Sequence, residues 1–405
     1  MEEEKHEKTT IVLTVVLLIS CYVNTIGVYA FGESKFNEPE EILSQLVKYE
    51  NSHNWSEFAK LCTKEYGSQI LDVEDGVGIK GTESAELKFL DEIDKSMVPE
   101  YAISKTDKEC IYFVMGIDYV VGNATKFFYN GINYRLASLT KEDGEWKLFS
   151  RTDIPKEILA QYCENTYSTY GINEKIDFNT AMSIMSARNS GYILDSDLSV
   201  KDIIADMDDT LINVTDIFQL ERDFRPGISP YTICMDARPS TVRVEGYGAV
   251  GIYPYVQVVL PCEWTISISP NAALAAAVVM IEQYATWNVL YFQKYPDLGY
   301  DVKAGDSDQV YNPSKYNGMQ QIYKDMVNAA WATSSHMHME TQDNYFFESQ
   351  YFDTTANRTV ELAENGYSYQ EILHDIYDGK NATYGGISIG TIRIREYKYF
   401  YSNPN

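Results

Sequence analysis

Apolar residues just after position 37 recur at helical spacing. In NEPEEILSQLVKYENSHNWSEFAKLC they fall at Ile42, Leu43, Leu46, Val47 and Tyr49, then at Trp55, Phe58, Leu61 and Cys62. That spacing predicts two short amphipathic helices. The pattern then lengthens into ECIYFVMGIDYVV, ATKFFYNGINYRLASLT and EWKLFSR. These read as strands, with Asn130-Gly131 and Asp143-Gly144 as the turns between them. Residues 38–156 are therefore expected to form one α+β unit. Residues 157–236 read as an acidic linker. Within them SVKDIIADMDDTLINVTDIF is periodic enough for a helix or two, and DFRPGISPYT, with two prolines and a glycine, reads as a connector. From Arg238 the alternation in RPSTVRVEGYGAVGIYPYVQVVLPCEW predicts strands up to Trp264. Ser269-Pro270 then reads as N-cap and first position of a helix. That helix, NAALAAAVVMIEQYATWNVLYF, is interrupted by Glu282, Gln283 and Asn288 and suits a core better than a membrane. Its alanines allow close packing against the preceding strands. The chain shows no internal repeat and no low-complexity tract.

Residues 11–32, IVLTVVLLISCYVNTIGVYAFG, are long and apolar enough for a signal peptide or one membrane span. Val28-Tyr29-Ala30 suits signal-peptidase cleavage, Leu18-Ile19-Ser20-Cys21 suits a bacterial lipobox, and the uncleaved segment would be an anchor. The acidic start MEEEKHEK departs from the usual basic flank. Residues 1–32 are accordingly read as a signal peptide or a membrane or lipid anchor, and the protein as exported.

With 405 residues, at about 100–200 per domain, two or three domains are expected. A net charge of −26 argues against nucleic-acid binding and against a folded surface that binds anionic membranes. Membrane contact is thus expected only through the N-terminal segment. The 33 tyrosines suit amphipathic contact surfaces, those for sugars included, as well as cores. Cys21, Cys62, Cys110, Cys163, Cys234 and Cys262 show no CxxC spacing and suggest neither a disulfide framework nor a zinc ribbon.

One short stretch carries candidate chemistry. The apolar run YVQVVLPCEW ends on Glu263, between Cys262 and Trp264. A carboxyl in a partly dry site has its pKa raised towards working pH, which suits a general acid. The alternative is a glutamate that follows the last buried residue and points outward. In SSHMHMET, His336, His338 and Glu340 share one strand face, so they are either metal-ligand candidates or alternating polar residues of an exposed strand. His374 reads as a surface residue. No phosphate-binding loop, dinucleotide fingerprint or calcium loop is present in the sequence.

YVQVVLPCEW followed by SPNAALAAAVVMIEQYATW, then DVKAGDSDQVY at 301–311 and TVELAENGYSYQEILHDIYDG at 359–379, resembles in order three blocks of the SpoIID/LytB-domain family. The resemblance covers about residues 238–380. It implies a second α+β domain, over residues 237–400, and a lytic transglycosylase acting on peptidoglycan glycan strands. The family's catalytic glutamate falls on Glu263, and Tyr255, Trp264, Tyr284 and Gln309 are substrate-groove candidates by motif position. Helices followed by a meander ending in Gly-Glu-Trp-Lys-Leu resemble the cone-shaped nuclear transport factor 2-like fold over residues 38–156, implying a binding or spacing domain.

Departures from the family pattern change the expectations. Lys303, Ser307 and Asp308 stand where the family has zinc-associated cysteines and histidine, so neither a metal nor another cofactor is expected. Glu282 replaces an arginine, and a carboxylate there is expected to raise the Glu263 pKa further. The family's Gly-Met-Ser-Gln loop corresponds best to Asp353-Thr354-Thr355-Ala356, or less well to Ser349-Gln350, and neither keeps the glycine. The expected protein is an envelope-facing enzyme, on the outer face of the cytoplasmic membrane or extracellular. The alternatives are a catalytically inactive peptidoglycan-binding module that recruits other wall hydrolases, or a substrate-binding lipoprotein.

Overall fold

The computed structural model describes residues 38–104, 109–123, 125, 127–155, 158, 192–194, 200–203, 237–342, 346–379, 383–384, 387–388, 390–397 and 399–400. The fold is α+β. Helices α1 (Pro39–Asn51), α2 (Trp55–Lys60) and α3 (Lys64–Asp72) precede a four-stranded antiparallel meander. Its strands are β1 (Thr82–Ile93), β2 (Cys110–Val121), β3 (Gly131–Glu142) and β4 (Glu145–Asp153). Asn54 and Thr63 cap α2 and α3 by accepting N–H bonds from Glu57 and Tyr66. The β3–β4 hairpin closes on Asp143 (φ 53°) and Gly144 (φ 83°), the positive dihedrals that an Asp-Gly turn favours. The first strand and third helix extend the pattern foreseen for this half.

Two sequence expectations are corrected. Within the linker, β5 (Tyr192–Leu194) pairs antiparallel with β6 (Val200–Ile203), so the start of SVKDIIADMDDT is strand and not helix. The remainder of that stretch, like the N-terminal segment 1–32 with Cys21, lies outside the described residues. After β7 (Ala237–Arg238), β8 (Thr241–Val244) and β9 (Gly248–Gly251), the chain forms helix α4 (Ile252–Glu263) where a strand was expected. The reason is burial periodicity. Ile252, Tyr255, Val256, Val259 and Leu260 are buried while Tyr253 and Pro254 are exposed, which is a helical face. The β-branched valines suggested otherwise, but packing on both sides of the run outweighed propensity.

Helix α5 (Asn271–Thr286) is central and almost wholly buried. Its N-cap is Pro270 rather than Ser269, whose hydroxyl instead donates to the Thr265 carbonyl at 2.9 Å. A π-helical turn at Trp287–Tyr291 follows. Helix α6 (Pro313–Asn317) packs on α4, while α4, α7 (Gln321–Ser334), β10 (Met337–Thr341), α8 (Asp353–Glu364) and α9 (Tyr369–Tyr377) pack around α5. Ser368 and Glu371 form a reciprocal capping box at the start of α9. The short pair β11 (Thr383–Tyr384) and β12 (Ile387–Ser388) comes next. Strand β13 (Ile392–Glu396) pairs with β10, and β14 (Tyr399–Phe400) pairs with β7. Among the described residues, no helix is long and apolar enough to cross a membrane.

The buried residues form two hydrophobic clusters. The first belongs to α1–α3 and the meander, yet it also takes in Trp287, Phe292, Leu298 and Phe346 from the C-terminal half. The joint between the halves is ionic as well as apolar. Arg151 of β4 donates through Nε to Asp297 (2.7 Å) and through both terminal nitrogens to Glu50 (2.9 and 3.3 Å), and all three side chains are buried. Tyr66 adds an O–H donation to Asp297 at 2.8 Å. Burial pushes the Glu50 carboxyl up and Arg151 opposes it, leaving the net shift upward. Backbones close the contact: the Asp153 N–H donates to the Gln293 carbonyl at 3.0 Å. A Cβ at Gly78 would collide with the Asp297 carbonyl, and one at Gly299 would lie 2.6 Å from Val77. Both glycines have positive φ, so this approach needs glycine twice over.

Candidate functional site

Glu263 is the last residue of α4, and it is half-buried. Its Oε1 accepts the Val310 backbone N–H at 2.8 Å. Burial raises its pKa, the Val310 bond opposes this, and Asp306 and Asp353 raise it further against a smaller lowering by Lys315. The helix C-terminus also disfavours the anion. The result is a carboxyl held in one orientation and more easily protonated than an ordinary glutamate.

The four groove candidates assemble beneath Glu263 rather than around an opening. Tyr255 is fully buried and its hydroxyl donates to Gln309 Oε1 at 2.6 Å. Gln309 Nε2 donates to the Tyr351 hydroxyl at 2.7 Å and to the Ile281 carbonyl at 3.3 Å. Trp264 is buried, with its ring 5.1 Å from Tyr351 and its Nε1 donating to Thr359 at 2.9 Å. Tyr284 donates to Asp308 Oδ1 at 2.7 Å. These side chains fix the floor that carries Val310 and hence Glu263.

A buried ammonium holds the same loop from below. Lys294 meets the Tyr284 hydroxyl (2.9 Å), Asp308 (3.3 Å) and Glu348 (2.9 Å). Burial pushes the Asp308 carboxyl up, but Lys294, the Lys303 N–H and two tyrosine hydroxyls outweigh it, and its pKa falls below the usual range. Loop 301–311, helix α5 and segment 346–351 are thereby tied together. Lys294→Met is expected to leave Asp308 buried without its cation, so its pKa rises above the ordinary aspartate value. Carboxyl NMR titration of the variant checks this, since an unchanged depressed value would show that Lys294 does not carry the effect.

Glu282 does not act on Glu263. It is fully buried on α5, where Arg238 donates to it at 3.1 Å, and burial pushes its pKa up to about 8. A carboxyl whose native pKa lies above its unfolded value binds more protons when folded, so its contribution to stability falls as pH rises from about 4.5 to about 8. Glu282→Gln is expected to flatten that decline. Thermal unfolding of both forms at pH 5 and pH 9 reads it: the variant should gain on the parent at the higher pH.

The histidine pair does not converge on a metal geometry. Strand β10 is fully buried, not exposed as its polar alternation suggested. His338 packs against Tyr397 (4.8 Å) and Phe346 (6.1 Å), while Glu340 pairs with Arg395 at 3.0 Å. Among the described residues, no group of three His, Cys, Asp or Glu side chains is disposed to hold a metal ion. His374 sits part-exposed on α9, its Nδ1 2.9 Å from Asp378. Cys62 and Cys110 are buried thiols and Cys262 is half-buried.

Several neighbours of Glu263 escaped sequence reasoning. Val310 contributes only a backbone N–H, which no side-chain pattern encodes. Asp353 opens α8, so 353–356 is a helical turn rather than a loop. Phe352 beside it is 63% exposed, the kind of apolar surface that a sugar face can cover. Next to Val310, Tyr311 stacks on Tyr255 (5.6 Å) and meets the exposed Tyr247 edge-on (4.9 Å). Comparison with family models, with curated proteins and with solved structures returns no match.

Proposed function

We propose that the protein is an exported, peptidoglycan-directed glycan-strand lyase, a divergent SpoIID/LytB-like lytic transglycosylase with Glu263 as its single acid/base. The observation that carries this reading is the Glu263 carboxyl, oriented by Val310 and raised in pKa by burial. Protonated Glu263 gives its proton to the glycosidic oxygen as the bond to the muramic anomeric carbon breaks. The muramic C6 hydroxyl attacks that carbon and surrenders its proton to the carboxylate, which regenerates the acid without water. An internal nucleophile removes the need for the second carboxyl that hydrolytic glycosidases use. The N-terminal segment 1–32 would deliver the protein to the outer face of the cytoplasmic membrane or beyond it.

A second reading has its own support. Tyr255, Trp264, Tyr284 and Gln309 are buried in mutual hydrogen bonds and ring contacts, which suits a domain that keeps the architecture, binds glycan on its surface and recruits another wall hydrolase. Incubating the full chain with purified sacculi separates the two. Release of soluble glycan supports the enzyme, pelleting with intact sacculi supports the binding module, and neither event contradicts both.

A further inference from the structure

The two halves of the chain line a half-open cavity of about 240 Å³. Gln69 on α3 and Ser150 and Thr152 on β4 line one wall, and Phe292, Tyr295 and Asp308 line the other. Glu263, Val310 and Phe352 do not line it. The Arg151 cluster fixes both walls, so the space is formed before any ligand arrives.

Its charges point to an uncharged occupant. Glu65 and Asp308 balance Lys294 and Lys303, two acids against two bases. The three ammonium protons of Lys294 are taken by Tyr284, Asp308 and Glu348, which leaves none for an anion. Asp308 already accepts from Tyr284, Lys294 and the Lys303 N–H, so a cation gains little there. That leaves Lys303, whose ammonium lies over the Tyr295 ring at 5.3 Å, and the exposed Glu65 to meet a charge, and the two are of opposite sign. Between these groups the walls are aromatic, with Tyr66, Tyr101, Phe149 and Phe292, while the Gln69 amide and the Ser307 hydroxyl supply polar contacts.

Apolar ring faces with a hydrogen-bonding edge fit that combination. We infer that the cavity is a binding site for a single uncharged sugar ring. The site stands whether or not Glu263 cleaves glycan.

The test uses the full chain with N-acetylglucosamine as probe, followed by saturation-transfer NMR and titration. Gln69→Trp and Ser307→Trp fill the space from opposite walls at positions that are not buried, and near-ultraviolet circular dichroism checks their folding. The parent should bind the sugar, and each tryptophan variant should raise Kd by about tenfold or more. Phe352→Ala and Glu263→Gln should leave that Kd unchanged. The inference is overturned if the parent does not bind, if both tryptophan variants bind as the parent does, or if binding is lost in the Phe352 or Glu263 variant instead. Displacement of the sugar by inorganic phosphate or tetramethylammonium would overturn the neutral class.

Discussion

Glu263→Gln is expected to lower glycan-strand cleavage by about a thousandfold, within the range general acid–base groups contribute. The amide keeps the shape of the carboxyl and can still accept the Val310 N–H through its oxygen, so folding and glycan binding should persist. What it loses is the proton, and with it both protonation of the leaving oxygen and deprotonation of the attacking hydroxyl. The parent should also show a characteristic pH profile. Because Glu263 must start protonated, activity falls as pH rises through its pKa, and burial sets that fall above the range of an exposed glutamate. Initial rates of soluble glycan release across pH, with the Gln variant alongside, measure both effects. A variant as fast as the parent would remove Glu263 from the chemistry.

Arg151→Met should destabilise the protein by about 3–5 kcal/mol, the usual consequence of stripping one partner from a buried ion cluster. Methionine occupies much of the arginine volume, so the loss is electrostatic: Glu50 and Asp297 would remain buried in one site without a cation. The deficit should shrink at low pH. The Glu50 carboxyl, already raised by burial, would lose the cation that opposes the rise, so the penalty is present above its unfolded value and disappears as the group protonates. Chemical denaturation at pH 7 and pH 4 reads this. Loss of stability confined to the N-terminal half, with the C-terminal transition unmoved, would show that Asp297 and Arg151 do not join the two.

How far the sequence revealed this arrangement depended on where the information sat. Strands β2 and β3 were legible as long apolar runs and the β3–β4 hairpin by its Asp-Gly turn, but residues 127–130, expected to be strand before the Asn-Gly turn, are not strand, and β3 begins at Gly131. Helix α4 was not, because Tyr255 to Leu260 is apolar in nearly every position and fits either period; only burial on the α5 side decided it. Glu263 itself stood out by its neighbours. Its hydrogen-bond partner did not, since a backbone N–H carries no side-chain signature. Glu282 was read as acting on Glu263, whereas its partner is Arg238, 44 positions earlier. The Arg151–Asp297 pair is 146 positions apart. Such pairings are set by topology, and no local pattern announces them.

The most direct measurement is the chemistry of the ends that the protein creates. Digests of purified peptidoglycan by the full chain and by the Glu263→Gln variant would be compared by mass spectrometry. New 1,6-anhydro-muramic ends with the parent, absent with the variant, are the result expected of an internal C6 nucleophile served by Glu263. Hydrated reducing ends in their place, or the same ends from both proteins, would contradict it.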